Sequence, residues 1–89
     1  MGNWQLALPE SYRLICEIIQ EPDGRYSISC LNLPGVASQG DTKQEAISNI
    51  EEAFNAVLDS YEADGTEIPW VEVINPRGMT NVIVARNQP

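Results

Sequence analysis

The 89-residue chain contains no histidine. That removes the side chain whose ordinary pKa lies nearest neutrality, and with it the commonest transition-metal ligand. Cysteine is limited to Cys16 and Cys30. They lie too far apart in sequence for a metal knuckle, and no further Cys or His is available to complete one. Cations are scarce: five bases face thirteen acids, a formal net charge of −8. A chain so charged repels phosphate backbones, so direct nucleic-acid binding is not expected. Long apolar runs are missing too. The longest strictly apolar stretch is Val82 to Ala85, far short of the roughly 20 residues a membrane helix needs. No cationic segment followed by a long apolar core marks a signal peptide, and no Asn-x-Ser/Thr acceptor occurs. These absences lead to the expectation of a cytoplasmic protein with reduced thiols, no cofactor and no metal.

What is present describes a folded domain. Apolar residues make up 43% of the chain and charged ones 20%, a globular rather than a disordered balance. The length suits a single domain over 1–89. A core of this size is modest, so self-association into a homodimer or tetramer is expected to support it.

Residues 1–10 form a lead-in that Pro9 keeps from being helical; Trp4, Leu6 and Leu8 alternate as an edge strand or packing arm would. Tyr12 to Gln20 predicts a strand, with Leu14, Cys16 and Ile18 on one face and Arg13, Ile15, Glu17 and Ile19 on the other. Glu21-Pro22-Asp23-Gly24 is a turn, since proline presets φ and glycine accepts a positive one. Arg25 to Leu31 returns as a strand with Tyr26, Ile28 and Cys30 on the core side. Ile15, Ile19 and Leu31 fall on the opposite face, either as ordinary exposed apolar residues or as a surface that pairs with another chain. Cys16 and Cys30 fall nearly opposite each other. They suit a cross-strand disulfide or, in a reducing compartment, two small buried hydrophobes.

Pro34-Gly35 turns the chain into a short third strand, Val36 to Ser38, which Gly40 ends. Thr42 with Glu45 three residues on is a capping box, and Asp41 adds negative charge at the positive end of the helix dipole. Ala46, Ile47, Ile50, Ala53, Phe54, Val57, Leu58 and Tyr61 then form one apolar stripe at helical spacing. Gly65 is the expected C′ residue. Acids near the end of this helix oppose its dipole, and nothing local calls for them. Trp70 to Ile74 and Thr80 to Arg86 predict two further strands around an Asn75-Pro76-Arg77-Gly78 turn, and the unbroken run Val82 to Ala85 suits a strand covered on both sides. The fold class is thus α+β: a three-stranded antiparallel β-meander, one long amphipathic helix, then one or two closing strands. The core spans about 12–74, and 75–89 is a terminal strand or arm.

From Tyr12 to Pro69 the chain resembles the HicB antitoxin family of toxin–antitoxin systems. The resemblance is carried by the aromatic-led strand Tyr12 to Glu17, the turn Asp23-Gly24-Arg25-Tyr26, Leu33-Pro34-Gly35, Gly40-Asp41-Thr42, and Glu45-Ala46. It implies a partial RNase H-like fold in which Pro34, Gly35, Gly40, Thr42 and Glu45 are structural. It also implies a function: binding and blocking a small basic HicA-like toxin that cleaves mRNA. Many members add a C-terminal DNA-binding segment; the twenty or so residues after Pro69 read as strands, so autorepression by this chain is not expected.

Charge agrees with that role. Between Asp41 and Glu67 eight acids face Lys43 alone, a local balance of −7. An RNA-gripping toxin is basic around its site, and an acidic protein can occupy it. The candidate partner-binding residues are Glu17, Glu21, Asp23, Asp41, Glu52 and Asp59. An RNase H-type nuclease would need clustered carboxylates holding two metals. Glu17 is the only strand-central acid in its half of the chain, so no catalytic residue is assigned. The alternative is a stand-alone homo-oligomeric binding module of the same fold with no toxin partner.

Overall fold

The computed structural model describes residues 11–85. The lead-in of residues 1–10, with its Trp4, Leu6 and Leu8 alternation, and Arg86 at the end of the last expected strand lie outside the described residues. The order is β1 (Ser11–Gln20), β2 (Tyr26–Cys30), β3 (Ala37–Gly40), α1 (Lys43–Asp64) and β4 (Thr80–Ala85). The four strands form one antiparallel sheet in the order β3-β2-β1-β4. This is the expected α+β fold: a meander, one helix, and a single closing strand.

The hairpin register places Cys16 opposite Cys30 and Ile18 opposite Ile28. On the other side of β1, Leu14 faces Val82 and Tyr12 faces Val84. Strand alternation therefore turns Leu14, Cys16, Ile28, Cys30, Val82 and Val84 to one side, and all six are buried. Against them α1 lays the buried residues Ala46, Ile50, Phe54 and Leu58. Leu33 and Val36, on either side of the Pro34-Gly35 turn, close the same core.

The helix begins as its capping box dictates. The Thr42 side chain accepts the Glu45 N–H at 3.0 Å, and the Glu45 carboxylate accepts the Asp41 N–H. It ends at Gly65, which takes φ 70°, a left-handed conformation that glycine adopts without Cβ strain. At 22 residues the helix is about 33 Å long. It carries the chain from the β3 edge of the sheet to the β4 edge.

Three strand expectations are corrected. Trp70 to Ile74 does not pair into the sheet. One flank of β1 is taken by β2 and the other by β4, so this segment crosses the end of the sheet and is held by the Val71 N–H donating to the Asn32 carbonyl at 2.9 Å. Nor is β4 covered on both sides: Val82 and Val84 are buried, but Ile83 is 58% exposed. Among the described residues the single helix covers one face of the sheet. The third strand runs Ala37–Gly40, starting one residue later and ending two residues later than Val36 to Ser38; Val36 itself turns into the core beneath the Pro34-Gly35 turn.

Candidate functional site

Three of the six acids expected to contact a partner gather at one corner of the molecule. Glu21, Asp23 and Asp41 sit where the β1–β2 turn meets the start of α1, since Tyr26 pairs with Gly40 at that end of the sheet. Each also has local work there. Glu21 accepts the Ser27 hydroxyl at 2.7 Å, Asp23 accepts the Arg25 N–H at 3.0 Å, and Asp41 meets the Arg25 guanidinium at 3.0 Å. Both partners of that ion pair are well exposed, so it contributes less than about 1 kcal/mol. Glu52 and Asp59 lie elsewhere, exposed on the outer face of α1, two turns and about 10.5 Å apart. Glu17 stands alone on the uncovered face of the sheet opposite Ser29. Fold topology thus distributes these acids over three surfaces.

The motif glycines and caps are structural. Gly35 has φ 100° in the turn after Pro34. Gly40 is buried, and a Cβ added to it would lie 2.5 Å from the Ala46 nitrogen and 2.9 Å from the Glu45 carbonyl carbon. Only a residue without a side chain lets the first turn of α1 pack on β3.

One residue that no sequence pattern singled out ties the meander together. Asn32 follows β2 where the chain turns away from β1. Its side-chain oxygen accepts the Ile15 N–H at 2.9 Å and the Cys30 thiol at 3.1 Å, and its side-chain amide donates to the Arg13 carbonyl at 3.0 Å. The side chain thereby continues the ladder that the backbone abandons. The Leu31 N–H donates to the Ile15 carbonyl, so by alternation Cys16 and Cys30 form a non-hydrogen-bonded pair, the closer type. Both are free buried thiols. Burial, with the neighbouring Cys30 adding to it, pushes the Cys16 thiol up to about 12, and burial raises Cys30 as well. Neither is a thiolate near neutral pH, so neither serves as a nucleophile.

Sequence reasoning also missed a cleft of about 430 Å³ at the end of the helix. Tyr12 from β1, Leu58 and Tyr61 from α1, and Ile68 and Trp70 from the crossing segment form its walls; Glu62, Thr66 and Glu67 complete the lining. Its floor is an aromatic cluster. Tyr12 packs edge-on to Phe54 at 5.3 Å and stacks with Trp70 at 6.1 Å, and Phe54 and Trp70 are 5.9 Å apart. Four of the six aromatic residues of the chain meet here. That scarcity was the available signal, but the four come from three separate elements and share no spacing. Among the described residues no group of three or more His, Cys, Asp or Glu is arranged to hold a metal ion, and no helix is long and apolar enough to cross a membrane.

No family model matches the chain. A UPF0150 protein of Thermoplasma acidophilum is 40% identical over 52 residues, covering 58% of this chain and 75% of that protein. A UPF0150 protein of Synechocystis is 39% identical over 64 residues, covering 72% of this chain and 78% of its own length. The chain belongs to the UPF0150 family. Among solved structures, the N-terminal domain of the Burkholderia pseudomallei antitoxin HicB superposes with a TM-score of 0.67 at 19% identity, covering 86% of this chain and all of that one. That likeness is one of fold. In this UPF0150 domain the fold is held by the Gly40 close approach, the Thr42–Glu45 cap and the buried stripe of α1.

Proposed function

We propose that this HicB-like protein is a non-enzymatic antitoxin that binds and neutralises a small basic HicA-like toxin. The observation that carries the reading is the outer face of α1. Between Lys43 and Arg77 the chain has no cation and eight acids, so the helix and the segment after it carry negative charge that no base among them offsets. Such a surface steers a basic partner and masks its RNA-binding site. Glu52 and Asp59 are the contacts assigned on the helix, Glu21, Asp23 and Asp41 those at the turn corner, and Glu17 that on the sheet. Among the described residues both thiols are buried with raised pKa values, and no group of three or more carboxylates is arranged to hold a metal ion. It works in the cytoplasm, where the toxin's mRNA substrate is.

The test is co-expression. Growth arrest caused by a small basic toxin encoded beside this chain's gene is relieved when the chain is made. Arrest that persists while the chain is folded and abundant overturns the reading. Glu52→Lys with Asp59→Lys weakens toxin binding about tenfold or more, since like charges set against the toxin repel.

A second reading is favoured by the uncovered sheet face, where Ile19 and Ile83 are 49% and 58% exposed and Ile15 and Leu31 lie between them half-buried. This face suits pairing with a second copy, as part of an antitoxin dimer or tetramer or as a homo-oligomeric module without a toxin. Sedimentation at micromolar concentration tests it, and a strictly monomeric mass counts against it.

A further inference from the structure

We propose that the cleft walled by Tyr12, Tyr61 and Trp70 and edged by Glu67 is a binding site for an arginine side chain presented by a basic protein. Three observations converge. The first is the lining, which combines aromatic rings with Glu62 and Glu67 and, among the described residues, contains no lysine or arginine. Ring faces attract a cation, and a flat guanidinium both stacks on them and pairs with a carboxylate through two parallel N–H donors. Among the described residues Glu67 makes no hydrogen bond or ion pair of its own, so its carboxylate is available.

The second is the helix terminus. Tyr61 and Glu62 belong to the last turn of α1, which has no basic residue, and Asp64 there adds charge of the sign that destabilises a C-terminus. That charge costs stability within the isolated chain. A cation seated in the cleft meets the negative pole of the helix and the acids together, which converts that cost into affinity. The third is shape. The floor is braced, because Tyr12 and Trp70 stack on each other and both pack against the buried Phe54, Tyr12 edge-on. An aromatic socket already packed in this way loses little entropy on filling, as interface hot spots require. Arginine fits better than lysine because lysine's compact, strongly hydrated ammonium gains less from flat ring walls.

The inference deepens the antitoxin reading, on which it rests only for the identity of the protein that carries the arginine. The experiment is a titration of the full chain, isotope-labelled for NMR, with acetyl-Gly-Arg-Gly-amide and with the same peptide carrying neutral citrulline. The arginine peptide shifts the Trp70 indole and the Thr66 and Glu67 amides saturably, and the citrulline peptide binds at least five-fold more weakly. Glu67→Gln, an isosteric change at an exposed position, weakens arginine binding at least five-fold and leaves the rest of the spectrum unchanged. Glu51→Gln, on α1 and outside the cleft lining, has no effect.

Equal binding of the two peptides, shifts that follow Glu52 and Asp59 instead of Trp70, or an unaltered affinity in Glu67→Gln would overturn the assignment. So would contacts from the Trp70 ring to residues 1–10, or concentration-dependent shifts at the cleft without peptide, which would give the site to the chain's own leading segment or to a second copy. The titration contains no toxin. Failure of toxin rescue therefore leaves the cleft's chemistry standing, and failure of arginine binding leaves the antitoxin reading standing.

Discussion

Replacing Gly40 with alanine isolates one contact on which the fold depends. The added methyl would meet the Ala46 nitrogen at 2.5 Å and the Glu45 carbonyl carbon and Cβ at 2.9 Å, whereas ordinary contact begins near 3.4 Å. The first turn of α1 would have to retreat from β3 by about 0.9 Å, and backbone atoms cannot rotate out of the way as a flexible side chain does. Overpacking of this kind costs about 1–3 kcal/mol. The same retreat disturbs the Thr42–Glu45 cap, which is worth about 1 kcal/mol. The sum, roughly 2–4 kcal/mol, is a large share of the stability of a small domain and lowers Tm by about 10–25 °C. Gly24→Ala is the control. Nothing lies within 4 Å of its added methyl, but φ is +90°, so its cost is conformational alone, about 1–2 kcal/mol. Urea and thermal unfolding followed by circular dichroism measure both. A Gly40→Ala midpoint within 2 °C of the parent, or a cost no larger than that of Gly24→Ala, would refute the close-approach reasoning.

Asn32→Ala strands the Ile15 N–H and the Arg13 carbonyl at the end of the β1–β2 ladder and lowers stability by about 1–3 kcal/mol in urea unfolding. Thr42→Ala costs about 1 kcal/mol through the lost cap, and Thr42→Ser restores most of it. Arg25→Ala, which breaks the exposed pair with Asp41, shifts the urea midpoint by an amount equivalent to less than about 1 kcal/mol. The Cys16 thiol is raised from 9.0 to about 12 in the folded chain, so above pH 9 the unfolded state releases a proton that the folded state keeps. Stability is therefore fully present below pH 9 and falls as pH rises toward 12. Urea midpoints taken from pH 7 to 10.5 reveal the decline, and in Cys16→Ala it is reduced.

Local signals carried most of the fold. The capping box at Thr42, the stripe from Ala46 to Leu58 and the C′ glycine at Gly65 each fall where the chain forms them, because helix ends and faces are decided within a few residues. The β1–β2 hairpin was equally legible, since Pro22 to Gly24 sets the turn and the alternation of Leu14, Cys16, Ile28 and Cys30 leaves one register that buries them all. Trp70 to Ile74 was misread for the opposite reason. Its Val71 and Val73 have strand-like alternation, but whether a segment pairs depends on whether a sheet edge is free for it. β4 already takes the flank of β1. Of the candidate site, the acids were visible as charge, and their division among three surfaces was not.

By composition and spacing alone, the chain determined that it would be an acidic α+β domain without histidine chemistry, with a capped amphipathic helix and a meander before it. These are properties of single residues and short periods, read within a turn or a strand. Tertiary structure decided which strand flanks β1, that Gly40 lies against the helix backbone, that Asn32 substitutes for a missing rung, and that Tyr12, Tyr61 and Trp70 share a cleft. The residues of each such contact come from different elements. Only the closing of the chain around its core brings them within a few ångströms of each other, and no pattern along the sequence records that distance.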